Sequence, residues 1–200
     1  MILTVDIIIE KYMELGLAGA SRTDKIKDEL RSMSRTDLIS YYLALFGSHQ
    51  RALPMFDVVS EEAPDVFWNV IIENWSACDG LWFFGRHLLY LMRLRKVQCS
   101  PAPLMSNDDR AFFDSLPDRV KVHRGCARRR VRGLPWTTDF EQAAYFARGG
   151  RFPRQRDAVI ATATVAKADI FFVSASRKES EVVLDPYAIT RPRLTANIPL

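Results

Sequence analysis

Along this chain of 200 residues the spacing of apolar side chains changes once, near Lys96, from a helical repeat to an alternating one. Before that point apolar residues recur every three or four positions, the repeat that lines one face of a helix. After it, short runs alternate apolar and polar residues or are apolar throughout, as strands do. A single switch of period excludes both an all-helical bundle and an all-β sandwich. Only one helical pattern, over 139–148, interrupts the strand-like runs, so a regular strand-helix alternation is excluded as well. The expected class is α+β, with a helical subdomain over 1–98, a linker and short helix over 99–117, and an α+β core over 118–200.

Local signals place the helices. Residues 2–17 are apolar with polar breaks at Asp6, Glu10, Lys11 and Glu14, and Gly16 and Gly19 suit the ending. Ser34-Arg35-Thr36-Asp37 is a variant of the capping box, with Leu38, Tyr41, Tyr42 and Leu45 following at helical spacing and Gly47 as a stop. Pro64 opens a third helix whose Phe67, Ile71 and Trp75 form one stripe, and Leu81, Phe84, Leu88 and Leu91 mark a fourth. Trp68, Trp75 and Trp82 recur every seven residues, which reads as core packing ahead of a ligand box. Pro101 and Pro103 mark the linker, and residues 107–116 a short helix. Strand-like runs then cover Val120 and Val122, 158–165, 170–173 and 181–184.

The composition, 48% hydrophobic and 26% charged, is that of a globular chain. Cys78, Cys99 and Cys126 have neither disulfide nor zinc spacing, and His49 and His87 have no nearby ligand partner, so no metal is expected and a reducing compartment fits. The first residues lack the basic lead-in of a signal peptide. The most apolar region, 66–94, is interrupted by Glu73, Asp79, Arg86 and His87, whereas a membrane span needs about 20 mostly apolar residues. A cytoplasmic protein with no membrane partner is the expectation. Its formal net charge of +4 hides an asymmetry: 119–156 holds eleven basic residues against Asp139 and Glu141, a local net of +9, which leaves −5 elsewhere. Such a field attracts polyanions or acidic protein surfaces.

Three polar places stand out in the second half. In Val120-Lys121-Val122-His123-Arg124-Gly125, inward valines put Arg124 on the same side, where a lone guanidinium needs an anion; the alternative is that the chain turns into solvent before Gly125. In Leu134-Pro135-Trp136-Thr137-Thr138-Asp139-Phe140-Glu141, Thr138 and Glu141 have capping-box spacing. They open a helix whose Phe140, Ala143, Ala144 and Ala147 share a face, and Trp136 and Thr137 precede the cap without a structural reason. In Glu179-Ser180-Glu181-Val182-Val183-Leu184, a strand would set the two carboxylates side by side, about 6.5 to 7 Å apart. Such a pair can divide labour, one ionised and one accepting a proton, or can be plain solvated charge at a strand edge.

Taken in order, Arg-Gly ending a first strand, an aromatic-Thr-Thr junction before a helix with Phe146-Ala147, and Glu-x-Glu opening an apolar strand resemble the ADP-ribosyltransferase family of the arginine, serine-threonine-serine and glutamate type. The resemblance covers residues 118–188 and implies a small split β-sheet core with NAD as substrate and no metal. It implies that Arg124 braces the cleft and the dinucleotide's phosphate and ribose, that Thr137 takes the hydroxyl position, that Glu181 is the catalytic glutamate, and that Glu179 activates an arginine acceptor. Gly125, Trp136, Thr138 and Phe146 fall in the implied NAD-binding motifs, Arg148, Arg151 and Arg154 lie where the family's flexible loop approaches the dinucleotide, and 174–178 would present the acceptor site. Pro135 departs from the motif, which usually begins with serine. The implied activity is mono-ADP-ribosylation of an acidic protein target, as in toxin-like effectors of phage or bacteria. The competing readings are a nucleic-acid-binding module built on Arg128, Arg129, Arg130 and Arg132, and an inhibitor that keeps the fold and occupies a partner.

Overall fold

Where the sequence carries a capping residue, a helix starts. Thr4 accepts a hydrogen bond from Ile7 N and opens α1 (Val5–Glu14), and Gly16, at φ 68°, ends it. Ser34 opens α3 (Arg35–Ala44), accepting from Asp37 N at 3.1 Å and donating to Asp37 Oδ2 at 2.6 Å. Pro64 is the first residue of α5 (Pro64–Asn74). The computed structural model describes residues 1–17, 20–79, 81–150, 156–175 and 179–196, apart from the side chains of residues 20–22 and Trp82, and it divides the chain into two units, Met1–Cys99 and Ser100–Leu200.

The first unit is helical, with α2 (Ala20–Ser32), α4 (Ala52–Val59) and α6 (Gly85–Gln98) completing the set. Two of these have no expected counterpart. In α2 only Thr23, Ile26 and Leu30 are buried among the described side chains, too sparse a stripe to show as a period, and α4 is apolar nearly all round. Trp68 and Trp75 are buried with Phe67, Val70 and Ile71, so these tryptophans pack the core. Arg51 stitches the unit together by donating to the carbonyls of Leu43 (2.9 Å), Phe46 (3.0 Å) and Ala77 (3.1 Å).

The second unit begins with the stretch expected as a linker. Its short helix, α7 (Asn107–Ser115), is tied to the sheet: Asp109 accepts from Ala175 N at 2.7 Å, and Lys167 donates to Asp114 O and Leu116 O. The strands are β1 (Arg119–Ala127), β2 (Pro135–Thr137), β3 (Ala158–Ala166), β4 (Ile170–Ser174), β5 (Glu181–Leu184) and β6 (Arg193–Thr195). They form one antiparallel sheet in the order β4-β5-β2-β1-β3-β6. The chain is thus α+β. The sheet is open and narrows at its centre, where β1 and β2 pair at His123 and Thr137 while β1 and β3 pair along their whole length. Among the described residues no helix is long and apolar enough to cross a membrane.

A single helix, α8 (Phe140–Ala147), lies on β1 and β3, burying Ala143, Ala144 and Ala147 against Ile160. The approach is so close that a Cβ on Gly125 would stand 1.8 Å from Ala143 O and 2.6 Å from Ala147 N. Both are backbone atoms and cannot swing aside. Gly125→Ala is therefore expected to lift α8 from the sheet and destabilise the protein by about 1–3 kcal/mol. Gly47→Ala, with nothing within 4 Å of the added methyl, should stay within about 0.5 kcal/mol of the parent in the same urea titration.

Candidate functional site

Residues directly opposed in an antiparallel ladder share a face of the sheet. The register reads Arg193 opposite Thr162, Thr162 opposite His123, His123 opposite Thr137, Thr137 opposite Glu181, and Glu181 opposite Ser174. These residues form one row across all six strands. With neighbouring strands about 4.8 Å apart, Thr137 and Glu181 are immediate neighbours, and His123 flanks Thr137 on the other side.

Thr137 holds the centre of the row. Its buried hydroxyl donates to Glu179 O at 2.6 Å and accepts from Asp139 N at 3.0 Å, joining the end of β2, the start of α8 and the approach to β5 through one oxygen. Thr138 N adds a bond to Ser180 O at 3.1 Å. The expected cap of α8 at Thr138 is corrected: Asp139 is the N-cap and accepts from Glu141 N and Gln142 N at 2.8 and 3.4 Å. With Asp139 N already held by Thr137, the helix starts one residue later.

The side-by-side arrangement expected for Glu179 and Glu181 is also corrected. Ser180 has φ 44°, in the left-handed region, and β5 starts only at Glu181, so the period of two does not extend back to Glu179. Both glutamates are half-buried. Val182, Val183 and Leu184 are all buried, so β5 is covered on both faces beyond Glu181, not on one alone.

Arg124 goes elsewhere. Alternation along β1 sets it opposite in sense to His123, with Val120, Val122 and Cys126, and its guanidinium donates to Arg130 O at 3.1 Å and to Pro135 O. A Cβ on Gly133 would lie 2.6 Å from its Cζ, so the β1–β2 connection is folded directly onto the charge. Burial pushes the Cys126 thiol up, against the pull of Arg124 beside it. The structure therefore brings Thr137 and Glu181 together and keeps Arg124 on the other side of β1, holding the loop that leads to them.

The remaining expected residues divide by what they touch. Trp136 is buried and donates to Gly133 O at 3.0 Å, Gly125 is the seat of α8, and Phe146 is half-buried against Tyr145. Arg148 caps the C-terminal end of α8. Arg151, Arg154 and residues 176–178 of the expected acceptor loop lie outside the described residues. Arg132 donates to Pro186 O and Ile189 O and stands over the Tyr187 ring, a structural use of one of the four arginines assigned to nucleic acid. Arg128 and Arg129 are exposed. Among the described residues no group of His, Cys, Asp and Glu is gathered that could hold a metal ion.

His123 was not expected in the site. It is 5% exposed, its Nδ1 lies 2.9 Å from Thr162 Oγ1, and its ring meets Phe140 edge-on at 5.3 Å. Burial pushes its pKa below the ordinary value, Lys121 pushes the same way, and Asp139 opposes them. The signal was present in the alternation, which puts His123 on the face of Gly125. Val120 and Val122 lie on the other face and are buried.

Two measurements check this geometry. Thr137→Val leaves Glu179 O and Asp139 N without their shared partner and should cost about 1–3 kcal/mol in a denaturant titration, with Thr137→Ser recovering most of it. For His123 the folded pKa lies below the unfolded 6.5, so the unfolded chain binds the proton first. Stability should be full above pH 6.5 and decline as pH falls from there to the lower folded value; His123→Gln should flatten that part of the profile.

No protein-family model, no curated protein and no solved structure matches the chain.

Proposed function

We propose that the second unit is a mono-ADP-ribosyltransferase that cleaves the nicotinamide-ribose bond of NAD and transfers ADP-ribose to a protein side chain, the guanidinium of an arginine, as an intracellular effector acting on an acidic target. One observation carries the reading: Glu181 stands directly opposite Thr137 in a row of polar side chains on one sheet face. The motif order of the sequence thereby becomes an order in space, with Arg124-Gly125 on β1, Thr137 on β2 and Glu181 on β5, three adjacent strands.

Cleavage of that bond sends the bonding electron pair out with nicotinamide and leaves positive charge on the anomeric carbon. A carboxylate fixed beside that carbon stabilises the transition state more than the ground state, because the charge exists only as the bond breaks. Glu181 is held for this task by the flanking ladder to β2, and Thr137 fixes the segment that leads into it through the Glu179 carbonyl. Glu179 takes the proton of the attacking guanidinium, whose nitrogen then forms the new bond to the anomeric carbon; with water in its place the result is hydrolysis. Arg124 acts from behind, bracing the β1–β2 connection by its carbonyl contacts.

Glu181→Gln should lower nicotinamide release by about 10²–10³, by analogy with loss of one oxyanion-hole donor, while the thermal melt stays close to that of the parent. Glu179→Gln should suppress modification of an arginine acceptor more than NAD hydrolysis. Undiminished turnover in Glu181→Gln removes that residue from catalysis. Absence of any NAD turnover in the parent, together with strongly salt-dependent duplex binding, would overturn the transferase reading in favour of a nucleic-acid module.

A further inference from the structure

At the end of the row away from Glu181 the same sheet face turns basic. Alternation along β1 puts Arg119 and Lys121 on the face of His123, opposite Ala166 and Thr164 of β3. On the far side of β3, Arg193 opposes Thr162, and Arg191 lies two residues before it, ahead of the start of β6. Arg119, Lys121, Thr164, Arg191 and Arg193 are all exposed. A cavity of about 200 Å³ opens here, lined by Arg119, Thr164, Asp169 and Arg191 among others.

The use of these cations contrasts with that of Arg124 and Arg132, whose guanidinium groups are engaged with backbone carbonyls. Among the described residues no hydrogen bond or ion pair ties down the side chains of Arg119, Lys121, Arg191 or Arg193. Arg119 and Arg191 therefore line the cavity with Asp169 as the one acid on its wall, and Lys121 and Arg193 stand beside it, opposite Thr164 and Thr162 in the ladder. Like charges gathered this way repel one another until an anion joins them, and arginine forks bind phosphate oxygens two at a time. The volume is below the 300–1,000 Å³ of pockets that enclose a whole small molecule, and suits a charged fragment of one.

Position supports the same ligand. Thr164 lies three strands and one two-residue step from Glu181, about 16 Å between Cα atoms. Side chains reaching inward from both ends shorten that gap, over a stretch of the row in which His123 and Thr137 are themselves buried.

We infer that Arg119, Lys121, Thr164 and Arg191 form the subsite for the diphosphate of the dinucleotide, an inference that rests on the transferase reading. Arg124, the residue expected to meet the phosphates, serves the fold, and the anion is met at the other end of β1.

The test uses the double variant Lys121→Glu/Arg191→Glu beside Arg128→Glu/Arg129→Glu, which changes net charge equally at two exposed arginines away from the cavity. ADP-ribose, which keeps the diphosphate and lacks nicotinamide, is titrated calorimetrically, and NAD turnover is followed in parallel. Affinity for ADP-ribose should fall at least tenfold in the first variant and less than about threefold in the second. KM for NAD should rise with kcat nearly unchanged, the mark of binding lost equally in ground and transition states. Lys121→Gln and Arg191→Gln singly should show smaller losses in the same direction. Equal affinity in parent and first variant, or equal loss in both double variants, overturns the subsite. Nicotinamide release with an unchanged KM in the first variant keeps the transferase and discards the subsite. ADP-ribose bound through these residues without nicotinamide release keeps the subsite and discards the transferase; a parent that neither binds ADP-ribose nor releases nicotinamide discards both.

Discussion

The backbone contact between α8 and Gly125 sets the geometry of the second unit. A helix can rest directly on a strand only where the strand has no side chain and the helix presents small ones, and Gly125 meets Ala143 and Ala147 in this way. The contact fixes where α8 begins, which brings Phe140 over His123 and places the β2–α8 junction beside the start of β5. The polar row runs beside the seat of α8, with Phe140 at the start of the helix covering His123. Packing and site are thus two halves of one face, separated by a single period of two along β1.

Guanidinium groups do much of the loop fastening. Arg51, Arg124 and Arg132 each bind carbonyl oxygens, of residues up to 57 positions away in the case of Arg132. A carbonyl partner never titrates and arginine stays charged throughout the accessible pH range, so these ties are insensitive to pH. They also redistribute the basic field. Part of the +9 segment is absorbed by the fold, and cations outside that segment, Arg191 and Arg193, join the exposed ones on β1.

What the sequence made legible was the kind of structure. Period alone distinguishes the helical half from the α+β half, and caps at Ser34 and Pro64 are local events that a few residues decide. That Thr137 and Glu181 stand opposite one another is decided by the β2–β5 register, which the spacing of the motifs does not contain. Less legible was anything that depends on a neighbour brought from afar. Gly125 reads equally as a ligand contact and as a helix seat until α8 is known to lie on it. Arg124 faces the side of Val120 and Val122 as the alternation suggests, but in place of an anion its guanidinium meets two neutral carbonyls from the β1–β2 connection. Ser180 has an ordinary identity and a left-handed backbone, which no residue type there announces, and that one angle removes the regular spacing of the two glutamates. Helix α2 was hidden because two apolar residues and a threonine are too few to make a period.

The stitch from Thr137 to the Glu179 carbonyl spans 42 residues, and closing a loop of that length costs about 3 kcal/mol of chain entropy beyond the fixed term. The β1–β3 ladder closes a shorter loop and forms over nine opposed pairs, so it can stand before β5 arrives. The polar row is then assembled late, from strands that meet only after the rest of the sheet has given them a place. A growing chain emerging from the ribosome carries Arg124 and Thr137 well before Glu181, and in that interval it has a partly built sheet with no glutamate opposite Thr137. Until β5 is added, Thr137 has no glutamate opposite it, so the pair exists only in chains that extend past Glu181.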